Sequence, residues 1–460
     1  MTLDSCAARL APSATQLFRL SAPTSEHFHV YETDVGSHVL LPDGNRIFDL
    51  DGETARELTA LQGAPANAVV EYLSELGIDP LQLIDDEPIA DPPVKALSLA
   101  VAQKCNLGCA YCYAQGGAFG GPSMAMPVET ALRAVDMLFA EAIPGDRVNL
   151  AFMGGEPLIA RQVIHEATKR AVQLARQMDV VATFSITTNG TLVTPADAEF
   201  FEAHGFAVTV SLDGVGQVHD LLRPSKGGQG SFDRIMARIQ PLLGLQHSMQ
   251  VSVRTTVTPT NLALKATLDY FVEAGFHSVG FSPLLNSPTG DGEMGHKHLE
   301  LMLEQMVECG EEFERRMAAG DRYPFNNMVN AMREIHRGTH RPYPCGAGAG
   351  YLGVSASGDL SACHRFVGDE EGALGSVTSG IDRERQKRWL SERHVHRQEP
   401  CKSCWARHMC GGGCHHEVIH RGRPACDYIR GWLHYCLSAY SRLIAVRPDY
   451  FGQRATQILE

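Results

Sequence analysis

The sequence predicts an α/β protein: an open, partial (β/α)6 barrel set between a small N-terminal α+β module and a C-terminal cysteine-rich domain. Three observations predict it. Apolar runs of strand length alternate six times with amphipathic helical stretches between about 97 and 282, which implies a parallel sheet with right-handed crossovers; six steps are too few for a closed eight-stranded barrel. The polar and glycine-rich motifs of this region fall just after its strands, where parallel α/β folds place their chemistry. Cysteine is concentrated in two fields, three residues at 105–112 and eight between 345 and 436, with only Cys6 and Cys309 outside them.

The chain has 460 residues, 44% of them hydrophobic, enough for several domains with their own cores. Its formal charge of −13 argues against general nucleic-acid binding, which needs basic surface. No apolar run reaches membrane-spanning length, and the N-terminus lacks the basic and apolar regions of a secretory signal, so a cytoplasmic location is expected. In such a chain, metal binding explains the cysteines better than disulfides do.

Residues 1–20 read as a loose tail. Strands are expected at His27–Tyr31, His38–Leu41 and Arg46–Leu50, then helices at Glu53–Leu61 and Pro65–Leu76. Together they suggest a winged-helix-like module or a packing cap. The acidic, proline-rich stretch 84–93 reads as a linker. Barrel strands follow at 97–103, 148–153, 183–187, 207–212, 250–257 and 278–282, with helices from Pro127 and at 161–177, 195–204, 231–243 and 262–274. The domains are then 1–93 (module and linker), 94–285 (barrel), 286–344 (helical connector), 345–436 (cysteine-rich domain) and 437–460 (C-terminal helix and tail).

The first barrel strand ends in Cys105-Asn-Leu-Gly-Cys109-Ala-Tyr111-Cys112. Three thiolates this close reach one soft metal centre. On a cubane cluster they would leave one iron open, while a zinc knuckle, disulfides or buried core cysteines are the plainer readings. Gly154-Gly155-Glu156-Pro157 follows the second strand, Asn189-Gly190 the third and Ser211-Leu-Asp213 the fourth, and Arg254 lies on the fifth. Together they suit a polar small molecule: exposed backbone and Glu156 for an amino group, Arg254 for a carboxylate, and Asn189, Ser211 and Asp213 for sugar hydroxyls.

The C-x3-C-x2-C motif with Tyr111 before its last cysteine, followed by Gly-Gly-Glu-Pro, resembles the radical S-adenosylmethionine (SAM) enzymes over about 95–285. The resemblance implies that Cys105, Cys109 and Cys112 hold a [4Fe-4S] cluster whose open iron chelates S-adenosyl-L-methionine. Reductive cleavage then gives a 5′-deoxyadenosyl radical that abstracts a substrate hydrogen. Gly154, Gly155, Glu156 and Pro157 would meet the SAM amino group, and Tyr111, Asn189, Ser211, Asp213 and Arg254 would add contacts.

In the second field, Cys345-x12-Gly358-x4-Cys363 precedes Cys401-x2-Cys404-x5-Cys410-x3-Cys414 and Cys426. Zinc is the rival reading for C-x2-C pairs, but seven ordered cysteines exceed one zinc site. The spacing resembles the SPASM extension of radical SAM enzymes. That resemblance assigns Cys345, Cys363 and Cys414 to one auxiliary [4Fe-4S] cluster, with its fourth ligand open, and Cys401, Cys404, Cys410 and Cys426 to another, three clusters in all. Cys436 lies in an apolar helical stripe and reads as core.

SPASM enzymes mostly modify peptides or proteins. The segments Cys109–Gly121, Cys363–Gly368, Cys401–Arg407 and Cys410–His416 resemble the quinohaemoprotein amine dehydrogenase maturation proteins. This implies thioether crosslinks, cysteine sulfur to a methylene of Asp or Glu, in the small subunit of that dehydrogenase, with an external electron donor. The N-terminal module would grip a leader segment by strand addition. A sulfatase-maturase-like formylglycine former is the alternative. Those enzymes carry an aspartate, the proposed base, where this chain has His364, and Asp427, Asp359 and Glu417 are other candidate bases. A non-catalytic multi-cluster electron carrier is the reading from a different class.

Overall fold

The computed structural model describes residues 13–78 and 83–452. Ser13 caps α1 (Ala14–Leu20) through a capping box with Gln16. The expected tail is therefore partly a helix, with Ala14 and Leu17 buried against the C-terminal helix; residues 1–12 lie outside the described residues. The module follows: β1 (His29–Thr33), β2 (Gly36–Leu41) and β3 (Arg46–Leu50) form an antiparallel sheet covered by α2 (Gly52–Ala60) and α3 (Ala66–Glu75). It has its own core of Phe28, Val39, Leu41, Leu58, Val69 and Leu73. It docks on the cysteine-rich part: the His29 ring stacks on Trp405 at 3.9 Å, and Trp405 Nε1 donates to the Ser21 carbonyl at 2.9 Å.

The barrel begins with β4 (Ala96–Gln103), apolar along most of its length and buried on both faces, as expected for a central parallel strand. The chain continues through β5 (Met124–Ala125), α4 (Val128–Phe139), β6 (Arg147–Gly154), α5 (Arg161–Met178), β7 (Val181–Thr188), α6 (Pro195–Ala203) and β8 (Ala207–Ser211). Then come α7 (Gln217–Leu222), α8 (Phe232–Gly244), β9 (Gln250–Val257), α9 (Leu264–Glu273) and β10 (Ser278–Pro283). The parallel order β10-β9-β8-β7-β6-β4 is the expected open arc of six strands. Helix α7 was not expected from the sequence.

Two long helices, α10 (His296–Ala319) and α11 (Asn326–His336), follow the last barrel strand. The chain then returns to the first one: β11 (Tyr351–Val354) pairs parallel with β4, Tyr351 opposite Ala96. Antiparallel β12 (Asp359–Ser361), β13 (Ala373–Ser376) and β14 (Gly380–Ile381) extend the same sheet. The cysteine-rich part is thus a continuation of the barrel sheet beyond its first strand. It closes with α12 (Arg383–Arg393), α13 (Arg407–Cys410), α14 (His415–Arg421) and α15 (Cys426–Val446), the last running unbroken across position 436. Cys309 and Cys436 are buried in the main core. Among the described residues no helix is long and apolar enough to cross a membrane.

Candidate active site

The three-cysteine loop leaves β4 and is fixed by backbone contacts. Gly108 donates to the Pro224 carbonyl at 2.8 Å, Gly155 to Ala102 at 2.8 Å and Glu156 to Lys104 at 2.9 Å. The Gly154–Gly155 turn lies directly on this loop. A Cβ on Gly155 would come within 2.3 Å of the Lys104 carbonyl oxygen and 2.7 Å of the Gly117 Cα, so only glycine fits the cradle.

A central cavity of about 1410 Å³ opens in the barrel. Its wall includes Cys105, Cys109, Cys112, Tyr111, Gly154 and Gly155. Asn189, Ser211 and Arg254 also line it, so the third, fourth and fifth strands all contribute to its wall. Burial pushes the Cys109 thiol up to about 11, with the Arg223 charge acting the other way; Cys105 is likewise raised by burial. Such thiols suit ligation to a cluster, whose positive iron takes over the stabilisation of the thiolates.

Three expectations change here. Glu156 does not face the cavity. It is fully buried, and its carboxylate accepts the Leu158 N–H at 3.0 Å, the Thr188 hydroxyl at 2.8 Å and the Asn189 N–H at 2.8 Å. Both its oxygens are used inside the fold, leaving backbone rather than carboxylate for an amino group. Pro157 is buried in the short helical turn after it. Asp213 is also fully buried: Oδ1 accepts the Thr256 N–H at 2.7 Å, and Oδ2 takes the Tyr111 hydroxyl and Nη1 of Arg223, the latter at 3.2 Å. It holds Tyr111 rather than a sugar hydroxyl. Asn189 is a partial case, since its side chain lines the cavity yet donates to Asn106 Oδ1 at 2.9 Å and to the Cys105 sulfur at 3.6 Å.

The same cavity is lined by Tyr351, His364, Arg365, Cys414 and Glu417. His364 Nδ1 is 2.7 Å from the Tyr351 hydroxyl. Burial, aided by the Arg365 charge, lowers its pKa to about 4, so it is neutral near pH 7. Arg365 Nη1 donates to Glu417 Oε1 at 2.7 Å and lies 3.9 Å from the Cys414 sulfur, and its guanidinium sits over the Tyr113 ring at 5.5 Å. This bridges the two cysteine fields. Asp427 is different: it pairs with Arg430 at the start of α15, half exposed, and is not in the cavity wall. The helix start turns it outward, so it is not placed as a base. Asp359 accepts from Ser355 and Ser357 away from the cavity.

Cys401, Cys404, Cys410 and Cys426 line a second, small cavity of about 60 Å³, and Cys414 reaches both cavities. Gly411, at φ +69°, lets this loop lie against the backbone of Tyr343 and Pro344, where a Cβ would meet Pro344 N at 2.4 Å; Cys345 comes next in the chain. Cys363 is buried and Cys345 exposed. Cys401, Cys404, Cys410, Cys414 and Cys426 share the wall of the small cavity, more thiols than the four a single zinc takes, so the donor set suits iron–sulfur clusters better than one zinc.

Arg223, Arg365 and Tyr351 were missed in the sequence. Arg223 follows α7 with no motif around it, and its partners Tyr111 and Asp213 come from other loops.

Residues 99–271 match the family model of the radical SAM superfamily. The serine-type anaerobic sulfatase-maturating enzyme of Klebsiella aerogenes is 26% identical over 345 residues, spanning 71% of this chain and 81% of that protein. Its counterpart from Bacteroides thetaiotaomicron is 25% identical over 394 residues, spanning 79% and 93%. Among solved structures, native anSMEcpe with bound AdoMet superposes with a TM-score of 0.63 at 20% identity, covering 78% of this chain and 100% of that one. Streptococcus suis SuiB bound to precursor peptide SuiA gives 0.51 at 13% identity, covering 87% and 97%. The superfamily match implies SAM and a [4Fe-4S] cluster. The open six-strand arc, with the cysteine loop at the end of its first strand, agrees with that match over residues 99–271.

Proposed function

We propose that this chain is a peptide-modifying radical SAM enzyme that forms intrapeptide thioether links, cysteine sulfur to a methylene carbon of Asp or Glu. The substrate would be the small subunit of a quinohaemoprotein amine dehydrogenase. One observation carries the reading: a single cavity is lined by Cys105, Cys109 and Cys112 and also by His364 and Cys414, and its wall presents Arg254, Arg322 and Arg333. None of these three arginines is ion-paired among the described residues. In a chain of net charge −13, such a lining suits a peptide whose reacting residues carry carboxylates.

Cys105, Cys109 and Cys112 would hold the SAM-binding cluster. Cys345, Cys363 and Cys414 would hold one auxiliary cluster, and Cys401, Cys404, Cys410 and Cys426 the other. When bound, cluster and SAM supply hydrogen-atom abstraction. The chain's own residues supply the rest. The backbone of Gly154 and Gly155, with Asn189, Ser211, Tyr111 and Arg254, orients the small molecule. Arg322, which donates to the His277 carbonyl at the start of β10, lies at the end of the cavity away from the three-cysteine loop and would draw in an acidic peptide rather than seat it at the reacting atoms. His364 takes the thiol proton at Nε2 in the tautomer whose Nδ1–H donates to the Tyr351 hydroxyl, acting as a weak base because burial lowers its pKa to about 4. Forming one C–S bond removes one thiol hydrogen and one carbon-bound hydrogen, two electrons in all, so an external electron donor starts the cycle and an acceptor completes it. The open edges of the β1–β2–β3 sheet offer strand addition to a leader segment.

A second reading has specific support. The named relatives above are sulfatase-maturating enzymes, and formylglycine formation would use the same cavity with His364 as base. Mass spectrometry of the candidate subunit after co-expression separates the two. Thioethers give a loss of two hydrogens per link together with a cysteine that no longer alkylates; formylglycine gives a hydrazide-reactive aldehyde at a serine or cysteine. Reduced, fully reconstituted protein that leaves SAM uncleaved would sink both readings in favour of an electron carrier.

A further inference from the structure

A third constellation lies outside both cysteine cavities. Helix α14 begins directly after Cys414 and sets His416 and His420 one turn apart on one face, with ring centroids 4.6 Å apart. Asp369 faces them from the loop that follows Cys363. Its Oδ2 is 2.8 Å from His420 Nε2, while Oδ1 accepts the Glu371 N–H at 3.0 Å and so fixes the carboxylate. One ligand atom from each of the three residues lies within 4.8 Å of the other two. The Phe366 ring walls the inner side, with centroids 5.0 Å from His416 and 6.2 Å from His420.

A surface ion pair accounts for Asp369 and His420 but not for His416. That side chain is buried, at 9% exposure, and its Nδ1 has no hydrogen-bond partner among the described residues. A buried nitrogen left so costs roughly 1–3 kcal/mol unless some other group engages it. The nearby Arg365 charge is balanced by Glu417 at 2.7 Å.

We propose that Asp369, His416 and His420 form a binding site for a divalent first-row transition ion, zinc fitting best, that clamps the loop after Cys363 to the helix after Cys414. Two imidazoles and a carboxylate are an ordinary zinc donor set, with a fourth position left for water. The ion would fix the spacing of two segments that each carry a cysteine of the first auxiliary set. The ion site stands whether or not the peptide-modifying reading does, because its test reads the metal itself.

The experiment uses the full chain, purified anaerobically with its clusters, exposed to zinc and dialysed. Zinc and iron per chain are measured for wild type, His420→Ala and Asp369→Asn, and zinc K-edge absorption is recorded on the wild type. The expected result is one zinc in the wild type, lost in both variants with iron unchanged, and a nitrogen/oxygen shell near about 2.0–2.1 Å. A zinc-dependent rise in wild-type Tm, absent in His420→Ala, gives a second readout. Equal zinc in wild type and His420→Ala, or a sulfur shell near about 2.3 Å that places the metal on cluster cysteines, would overturn the proposal.

Discussion

Glu156 Oε2 accepts the backbone N–H of Asn189 at 2.8 Å, and Asn189 Nδ2 in turn donates to the Cys105 sulfur at 3.6 Å. The acid of the Gly-Gly-Glu-Pro motif thus acts on the three-cysteine loop through a neighbour. Glu156→Ala would leave the N–H groups of Leu158 and Asn189 and the Thr188 hydroxyl without their acceptor. At about 1–3 kcal/mol for each buried orphan, and with a hydroxyl free to turn elsewhere, the loss is at least about 2 kcal/mol. A fall in Tm together with weaker iron retention checks this; an unchanged Tm and iron content would show that the carboxylate is dispensable.

Gly155→Ala tests the backbone cradle. The new Cβ would sit 2.3 Å from the Lys104 carbonyl and 2.7 Å from the Gly117 Cα, and backbone cannot step aside as a flexible side chain can. We expect iron to fall by about four atoms per chain, one cubane, with the auxiliary set kept. Full iron retention would mean that the two loops separate freely.

The barrel was legible because strands such as β4 are apolar along their length and helices such as α4 carry a clear apolar stripe, both set by local periodicity. The cysteine spacing was legible for the same local reason. What escaped depends on the third dimension. Nothing local marks Arg223, because it meets Tyr111 and Asp213 from two other loops. Glu156 and Asp213 were read as facing a ligand because they sit at strand ends; which way a residue at such an end points is set by packing, and both turn inward. Asp427 follows Cys426 in sequence, yet the first turn of α15 carries it to the surface. The docking of His29 on Trp405 joins residues nearly the whole chain apart.

His219 predicts a pH dependence. It is fully buried, its Nδ1 accepts the Asp213 N–H at 3.2 Å and its Nε2 lies 3.1 Å from Ser231 Oγ. Burial, with the Arg223 charge, lowers its pKa from 6.5 to about 4. The unfolded chain therefore takes up a proton that the fold refuses. Stability is full above about pH 6.5 and falls between there and pH 4, by up to about 3 kcal/mol for this group. His219→Gln should flatten the decline of Tm from pH 7 to pH 5; an identical slope in wild type and variant would contradict this pKa.

The two cysteine fields should separate in function. Cys105→Ala, Cys109→Ala or Cys112→Ala should abolish cleavage of SAM to deoxyadenosine, read by chromatography. Cys401→Ala, in the wall of the second, smaller cavity, should keep part of that cleavage while losing modified peptide. Intact product formation in Cys401→Ala would count against an obligatory role for that set.

The basic lining predicts substrate charge. Arg322 and Arg333 lie in the cavity wall, away from the three-cysteine loop in sequence, and neither has a carboxylate partner among the described residues. Reversing one charge replaces attraction by repulsion. At an effective dielectric constant near 20 and a separation of some 8 Å, the swing is about 2 to 4 kcal/mol before screening and about 1 kcal/mol or more after it. Arg322→Glu and Arg333→Glu should therefore raise KM for an acidic peptide by about tenfold, with little change in cleavage of SAM in the absence of peptide, and added salt should raise the wild-type KM in the same direction. A neutral peptide should be indifferent to either substitution. Equal effects on acidic and neutral peptides would remove the electrostatic argument for a carboxylate-bearing substrate and leave the formylglycine reading the stronger of the two.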